Sequence, residues 1–263
     1  MGFKAAIFDL DGCLYRGDAP IEGASKALEE LRGMGFKMMF LTNNATKTVE
    51  EYTNRLNIIG IRCRREEVLT SGLATSIYLA ERYGSVKVLP VGGRALEEEL
   101  RRIGHTVLNL RENYEAEFVV ACLDFDFNYE KLKNACQAIY NGARFIATNA
   151  DPTVPVEDRL IPGAGAIVAA ISKATGRRPL VVGKPSRIIM RVALEKLGVE
   201  GSETVVVGDR LDTDVRAGWK INALTVLVLT GATSLRDLER WRGVKPSLVL
   251  ESVRELPEAL KRL

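Results

Sequence analysis

The chain has 263 residues, of which 46% are apolar and 27% are charged, and its formal net charge at pH 7 is +3. Positive and negative side chains are interleaved in segments such as RALEEELRR, so the sequence gives no indication of nucleic-acid binding. No apolar run approaches the ~18 to 20 residues that cross a bilayer, and MGFKAAIFDLDG lacks a signal-peptide pattern. We therefore expect a folded cytoplasmic protein with no membrane partner.

Residues that could build a histidine or cysteine site are scarce. The single histidine, His105, rules out a two-histidine metal site. The four cysteines, Cys13, Cys63, Cys122 and Cys136, are widely spaced and include no CxxC pair, so we expect reduced, mostly buried thiols. Cys13 is the exception, because it adjoins the acidic turn, and no role is given to it. If the protein is a catalyst, carboxylates or lysines carry its chemistry.

Short, continuous apolar runs alternate with helical patterns along the chain, which is typical of buried parallel strands joined by helices. KAAIF is the first strand, a helix follows over IEGASKALEELRGMG with Gly35 as its C-cap, and FKMMFLT is the next strand. Further on come the strand PLVVG, a helix over SRIIMRVALEKLG ending at Gly198, and the strands TVVVG and ALTVLVL. This order predicts an α/β fold with a doubly wound parallel-sheet, Rossmann-like core.

The middle of the chain has strands and helices of its own. In chain order these predicted elements are VKVLPVGG, RALEEELRRIG, AEFVVACLD, NYEKLKNACQAIYNG, RFIATN and GAGAIVAAISKATG. A stretch of this length is enough for a second, smaller α/β domain. We expect residues 1–78 and 179–263 to form the core and residues 79–178 to form the inserted domain.

Polar side chains that could build a site follow the predicted strands KAAIF, FKMMFLT, PLVVG and TVVVG. In an open parallel sheet, ligands bind beyond the carboxyl ends of the strands, so these side chains are expected to share one site. In chain order they are Asp9, Asp11, Thr42, Asn43, Asn44, Lys184, Ser186, Asp209, Asp212 and Asp214. Acids, a hydroxyl, amides and a lysine would thus meet at one edge of the sheet.

Several carboxylates in one place are stable when a divalent cation lies among them, and hard oxygen ligands favour Mg²⁺. We expect Asp9, Asp209 and the backbone carbonyl of Asp11 to hold this ion. Lys184 would supply a positive charge, and Thr42 with the neighbouring amides would supply hydrogen-bond donors. This set of groups complements a phosphoryl group in transfer.

The segments DLDGCLY, LTNN, GKPS and GDRLDTD, in this order, resemble the four motifs of the haloacid dehalogenase superfamily of phosphatases. The resemblance covers essentially the whole chain, and the second acid, Asp11, points to phosphoryl chemistry because the dehalogenases of the superfamily lack it. The long insert lies between Thr42 and Lys184, hence between the second and third motifs. This position is similar to that of the cap domain in the NagD-like, or para-nitrophenyl phosphatase, branch.

The resemblance implies a role for most of these residues. Asp9 would be the nucleophile that forms an aspartyl phosphate, and Asp11 would act as general acid and then as general base. Lys184 would neutralise the nucleophile and the phosphate, while Asp214 would orient Lys184 or a metal-bound water. Asp212 receives no role. The substrate would be a small phosphorylated metabolite whose identity depends on the cap.

In the cap, Asn149 and Asp151 are the candidates for a loop that selects the substrate, and an acidic Asp151 would favour substrates with hydroxyl or amino groups over polyanions. Caps of this branch also imply a possible homodimer. Two alternatives stay open at this point. One is a phosphotransferase that passes the phosphoryl group to an acceptor other than water, and the other is a non-catalytic regulator that binds phosphate or metal.

Overall fold

The computed structural model describes residues 2–156 and 159–263. Its strands are, in chain order, β1 (Ala5–Phe8), β2 (Tyr15–Arg16), β3 (Ala19–Pro20), β4 (Lys37–Thr42), β5 (Val68–Thr70), β6 (Lys87–Val91), β7 (Thr106–Val107), β8 (Phe118–Ala121), β9 (Arg144–Ala147), β10 (Thr153–Val156), β11 (Arg159–Pro162), β12 (Leu180–Val181), β13 (Thr204–Gly208), β14 (Leu224–Val228) and β15 (Leu248–Leu250).

The α-helices alternate with these strands. They are α1 (Ala24–Gly33), α2 (Val49–Ile58), α3 (Ser71–Tyr83), α4 (Arg94–Ile103), α5 (Tyr129–Tyr140), α6 (Ala164–Thr175), α7 (Arg187–Leu197), α8 (Arg216–Lys220), α9 (Leu235–Arg240) and α10 (Leu256–Lys261). Short 3₁₀ turns cover Arg65–Glu67, Leu110–Glu115, Gly201–Glu203 and Val253–Glu255, and a π-helical turn covers Leu211–Val215. None of the helices in the described part of the chain has the length and apolarity of a membrane span.

The chain divides into two compact units. The first contains the N-terminal segment up to Thr42 together with Glu50–Leu69 and Lys184–Leu263, and the second contains Asn43–Val49 and Thr70–Gly183. The domain arrangement expected from the sequence, with an insert at residues 79–178, stays a prediction.

The first unit is built on a parallel sheet whose order, among the described residues, is β15-β14-β13-β1-β4-β5. Successive strands extend outward from β1 on both sides, so the sheet is doubly wound and the direction of winding reverses between β1 and β13. The register pairs Phe8 with both Val207 and Phe40. The residues that follow these three positions therefore leave the sheet side by side.

Strand β1 shows why this sheet forms. All four of its side chains are buried, because a central parallel strand is covered on both faces. Four of the predicted core strands, KAAIF, FKMMFLT, TVVVG and ALTVLVL, are confirmed as β1, β4, β13 and β14. Gly198 caps α7 as predicted, whereas α1 is capped by Met34 and Gly35 comes next.

The second unit has its own parallel sheet, of order β12-β9-β8-β6-β7 in the described part of the chain, and an antiparallel β10-β11 hairpin. Its core joins sheet residues such as Val119 and Phe145 to Ile139 of α5 and Ile171 of α6. The predicted strands of the insert are confirmed as β6, β8 and β9, and its predicted helices as α4, α5 and α6. The α/β class and the doubly wound parallel sheet agree with the sequence analysis.

One predicted core strand was wrong. PLVVG does not join the first sheet, because its two strand residues, Leu180 and Val181, pair with Ile146 and Ala147 at the edge of the second sheet. The chain stays with the second unit as far as Gly183, whose amide donates to Thr148 O at 2.7 Å. Lys184 therefore enters the first unit from a connecting segment and not from a strand of its sheet.

Candidate active site

The first acidic pair lies on the turn that follows β1. The Asp9 amide donates to Val207 O at 2.9 Å, which continues the pairing of β1 with β13. The chain then turns at Gly12, where φ is +79° and the amide donates to Tyr15 O at 2.8 Å. A Cβ at Gly12 would lie 2.5 Å from Asp209 Oδ2, so this turn requires glycine.

Lys184 joins two of the carboxylates. Its Nζ lies 2.5 Å from Asp9 Oδ1 and 2.7 Å from Asp214 Oδ1, and it also donates to Leu41 O at 3.2 Å. The lysine side chain is 5% exposed, and that of Asp214 is 2% exposed. Asp214 lies on the π-helical turn after β13, where its Oδ2 accepts from the Arg210 amide at 3.1 Å. The ammonium group is thus fixed between two acids.

The two carboxylate oxygens of Asp209, which follows β13, lie in different environments. Its Oδ2 accepts from the Ala232 amide at 2.6 Å. Its Oδ1 is buried and has no hydrogen-bond partner among the described residues. A buried carboxylate oxygen without a partner carries a large desolvation cost, and a cation bound there would remove it.

We use the name acid cluster for Asp9, Asp209 and Asp214. Each offers a carboxylate oxygen, and these oxygens lie within 4.8 Å of one another, a spacing that a single metal ion could bridge. Burial raises the pKa of Asp9, which Lys184 opposes, and burial followed by the charge of Asp214 raises the pKa of Asp209. Two buried acids and one partly buried acid share one lysine here, so the donor set fits a divalent cation with oxygen ligands.

Lys184 remains charged in this environment. Burial alone would lower the pKa of Lys184, but the facing carboxylates of Asp214 and Asp9 outweigh burial and raise it. The site therefore holds a fixed positive charge next to Asp9.

Asp11 is placed differently from the acid cluster. Its side chain is exposed, whereas that of Asp9 is 14% exposed and held by Lys184. Partial burial raises the pKa of Asp11, and the nearby guanidinium of Arg55 acts in the opposite direction. The two acids of the DLD segment thus have separate environments, one tied to a lysine and the other open to a ligand. The expected part of Asp11 in metal binding concerns its backbone carbonyl and stays a prediction.

The predicted phosphate-binding segment is divided between the two units. Thr42, the last residue of β4, is buried, and its hydroxyl is hydrogen-bonded to the phenol of Tyr52. Asn43 and Asn44 belong to the second unit. There Asn43 Nδ2 donates to Asp151 Oδ2 at 3.1 Å, and Asn44 Oδ1 accepts from the Thr46 amide at 2.9 Å.

The two candidate residues of the cap meet Asn43 within the second unit. Asn149 is buried, and its Nδ2 donates to Asn43 O at 2.7 Å. Asp151 accepts from the Asn43 side chain, and its amide donates to Asn149 Oδ1 at 3.1 Å. These contacts fix the loop after β9 against the segment that follows Thr42. They give Asn149 and Asp151 a structural function, while their part in substrate selection stays a prediction.

Two residues left without a role have simple environments. Asp212 pairs with Arg210 at 3.0 Å and is half exposed, so it belongs to the surface of the π-helical turn. Cys13 is buried, and burial raises the pKa of its thiol well above the usual range. The described cysteines are all free and buried, as expected from their spacing.

The sequence analysis missed the loop after β14. Thr230 Oγ1 donates to Gly12 O at 2.7 Å, and the Ala232 amide binds Asp209. A Cβ at Gly231 would lie 2.0 Å from Asp209 Oδ2. The sequence carried a signal for this loop, since TGATS directly follows a predicted core strand, like the other polar segments of the site.

Comparison with known proteins agrees with this geometry. A family model described as haloacid dehalogenase-like hydrolase matches residues 6–106, and a model described as HAD-hydrolase-like matches residues 181–256. A protein of Staphylococcus saprophyticus named acid sugar phosphatase is 37% identical over 260 residues, which cover 99% of each chain. The first match includes the DLD segment, and the second includes Lys184 and the acids after β13.

Solved structures give the same result over the full length. The p-nitrophenyl phosphatase from Archaeoglobus fulgidus has a TM-score of 0.93 and 38% identity, covering 98% of this chain and 100% of that one. NagD from E. coli K-12 has a TM-score of 0.89 and 35% identity, covering 97% and 98%. The chain therefore belongs to the haloacid dehalogenase-like hydrolase family and is a phosphatase of its NagD-like branch.

Proposed function

We propose that the protein is a Mg²⁺-dependent phosphomonoester hydrolase that acts on a small phosphorylated metabolite of the sugar phosphate kind through an aspartyl phosphate. The main support is the position of Lys184, whose ammonium group contacts both Asp9 and Asp214. Beside them lies Asp209 Oδ1, which has no hydrogen-bond partner in the described part of the chain. This arrangement offers a nucleophile, a fixed positive charge and a cation site in one place. The relative named acid sugar phosphatase supports the substrate class.

The acid cluster fits Mg²⁺ by the nature and number of its donors. Asp9, Asp209 and the backbone carbonyl of Asp11 would hold the ion, and Asp214 would keep Lys184 in place beside it. When bound, the ion would neutralise charge on the phosphate and keep the Asp9 carboxylate ionised.

In the first step, an oxygen of Asp9 attacks phosphorus and forms a new P–O bond to the enzyme. The ester P–O bond on the opposite side breaks, and the leaving oxygen takes a proton from Asp11 to depart as an alcohol. Lys184, charged and buried next to Asp9, stabilises the negative charge on the phosphoryl oxygens.

In the second step, Asp11 is ionised and removes a proton from water. The water oxygen bonds to phosphorus as the P–O bond to Asp9 breaks, which releases inorganic phosphate and restores both acids. The exposed side chain of Asp11 supports this role, because the residue must meet the leaving group and then the water. Thr42, Asn43 and Asn44 are proposed to bind the phosphoryl group together with Lys184.

Substrate selection is assigned to Asn149 and Asp151 of the cap. The support is that Asp151 carries a carboxylate only partly buried, in a loop held by Asn43. An Asp151→Ala protein is expected to lose preference for substrates rich in hydroxyl groups relative to p-nitrophenyl phosphate. An unchanged ranking of substrates would remove Asp151 from this role.

A homodimer through the cap is also proposed. Large apolar side chains of the second unit are exposed, with Phe125 at 71% and Leu160 at 70%. A mass of one chain in light scattering at micromolar concentration would count against it. The free, buried cysteines support the cytoplasmic location expected from the sequence.

The proposed reaction is tested by phosphate release from a panel of small phosphomonoesters, with Mg²⁺ and with a chelator. We expect Mg²⁺-dependent release that Asp9→Asn abolishes. The matched control is Asp212→Asn, which removes a nearby exposed carboxylate that pairs with Arg210 and should retain activity. Release that survives Asp9→Asn would contradict the covalent mechanism, and transfer to an added alcohol without release would favour a phosphotransferase.

A further inference from the structure

One arginine outside the motifs holds the hairpin formed by β2 and β3. Arg55, on α2, places its guanidinium carbon 4.7 Å from the centre of the Tyr15 ring. Its Nη2 donates to the carbonyl of Gly17, in the turn of the hairpin. The same nitrogen lies 3.2 Å from Asp18, but that carboxylate is fully exposed and contributes little.

These contacts come from a mostly buried side chain. Arg55 is 23% exposed, and Tyr15 is 3% exposed. Arg55 Nε is buried and has no hydrogen-bond partner among the described residues. Arg55 therefore contacts the hairpin through the face of its guanidinium group and through Nη2. Both contacts depend on the planar shape of that group.

The hairpin in turn determines where Asp11 lies. Tyr15 O accepts from the Gly12 amide at 2.8 Å, and Asp11 forms an isolated bridge with Tyr15. The peptide that carries Asp11 is therefore tied to the residue on which Arg55 stacks. Unlike Asp9, which is held by Lys184 and by the pairing of β1, Asp11 has an exposed side chain and depends on this backbone for its position.

We propose that Arg55 is a positioning residue that holds Asp11 in place for proton transfer to the leaving group. The inference rests on the hydrolase mechanism proposed above and adds to it a residue outside the four motifs. Arg55 acts through Tyr15 and the hairpin and does not itself contact the reacting atoms.

The role has a consequence that a loss of stability would not produce. An alkoxide leaving group needs a proton as the ester bond breaks, whereas p-nitrophenolate leaves as a stable anion. Misplacing Asp11 should therefore slow formation of the aspartyl phosphate, which kcat/KM reports, much more with an alkyl phosphate than with p-nitrophenyl phosphate. The second step, in which Asp11 is the general base, is common to both substrates and affects kcat for both. General acid catalysis is worth about 10²- to 10⁴-fold, and a misplaced group can forfeit about 10²-fold.

The test compares glycerol phosphate with p-nitrophenyl phosphate in the wild type, Asp11→Asn, Arg55→Ala and the double variant. We expect Arg55→Ala to lower kcat/KM for glycerol phosphate by about 10- to 100-fold, with a change in kcat/KM of less than about threefold for p-nitrophenyl phosphate. In the Asp11→Asn background, Arg55→Ala should have no further selective effect, because the carboxyl group that Arg55 positions is already absent.

Two further variants separate position from charge and from folding. Arg55→Lys keeps the charge but loses the planar face, so it should remain impaired with glycerol phosphate. The control Arg65→Ala removes an exposed arginine that pairs with Glu50, and it should leave the ratio of the two substrates unchanged. If Arg55→Ala does not fold, Tyr15→Leu tests the same contact from the other side and should give the same selective loss.

An equal loss of kcat/KM on both substrates, or an equal effect of Arg55→Ala on kcat/KM with and without the Asp11 carboxylate, would overturn the proposal. Full activity of Arg55→Lys would also overturn it, since charge alone would then suffice. Failure of the hydrolase mechanism gives a different result, because Asp11→Asn itself would then show no selective loss with glycerol phosphate.

Discussion

The ammonium group of Lys184 lies 2.7 Å from Asp214 Oδ1, and both side chains are almost completely buried. Asp9 contacts the same ammonium group, so one lysine compensates two acids in a region shielded from water. Removing one member of a buried ion pair is strongly destabilising because the partner keeps its charge without compensation. The pair therefore links the stability of the first unit to its chemistry.

We expect Lys184→Met to lower the free energy of unfolding by about 3 to 5 kcal/mol in the presence of a chelator. Mg²⁺ should restore part of this loss, because a cation among the acids replaces the missing positive charge. Urea unfolding with chelator and with Mg²⁺ measures both effects. The control is Lys131→Met, which deprives the buried Asp124 of its partner in the second unit and should not respond to Mg²⁺. A Lys184→Met protein as stable as the wild type in chelator would contradict the prediction.

Mg²⁺ itself should stabilise the wild type and not an Asp209→Asn protein. Binding to the folded state alone contributes about 2.7 kcal/mol at a concentration of 100 Kd. Asp209→Asn removes a proposed ligand, so its Tm should be insensitive to Mg²⁺. In chelator the variant should be no less stable than the wild type, since it has one buried negative charge fewer.

The measurement is a thermal scan with increasing Mg²⁺. Asp212→Asn serves as the matched variant and should keep the wild-type response, because Asp212 is exposed and paired with Arg210. An Asp209→Asn protein that still responds fully would place the metal elsewhere.

The meeting of Asp9 and Asp209 could be foreseen from the sequence because it depends on strand order alone. Each follows a continuous apolar run, and the ends of neighbouring parallel strands deliver their residues to one edge. The register of Phe8 with Val207 then brings the two acids together. Such an inference needs no knowledge of side-chain contacts.

The sheet to which PLVVG belongs could not be foreseen in the same way. Its apolar residues are compatible with a place in either sheet. Only two residue pairs, Leu180 with Ile146 and Val181 with Ala147, place it in the second sheet. The contacts of Arg55 could not be predicted either, because the sequence around an arginine on a helix gives no local pattern for the loop that its side chain will contact. Contacts between distant segments are set by tertiary packing and not by periodicity.

The cysteines should react slowly with thiol reagents. Burial raises the pKa of Cys63 and of Cys122 to about 12, and it raises the pKa of Cys136 as well. The reactive species is the thiolate, so the raised pKa of these thiols, together with their burial, lowers their reactivity in the folded protein. With a thiol-reactive chromogenic disulfide, we expect little reaction at pH 8 in buffer and rapid reaction of four thiols in denaturant. Rapid reaction of even one thiol in buffer would show an opening of the fold near that cysteine.

Gly231→Ala should damage the site without removing any functional group. The new Cβ would lie 2.0 Å from Asp209 Oδ2 and 2.4 Å from Asp209 Cβ, so the carboxylate or the loop must move. Movement would break the 2.6 Å bond from the Ala232 amide that orients this carboxylate. We expect a loss of about 1 to 3 kcal/mol in unfolding free energy, a weaker thermal response to Mg²⁺ and a fall of about 10²-fold in phosphatase kcat.

Gly33→Ala is the matched change at a position where a methyl group meets nothing within 4 Å. It lies at the end of α1 and should be neutral or stabilising by up to about 1 kcal/mol, with normal activity. The comparison separates the general effect of an added methyl group from its effect on Asp209. If Gly231→Ala kept the full Mg²⁺ response and activity, the loop after β14 would not be what orients Asp209. The backbone after β13 alone would then orient Asp209 Oδ1. The turn at Gly12 would be the next position to test, because a Cβ there also meets Asp209 Oδ2.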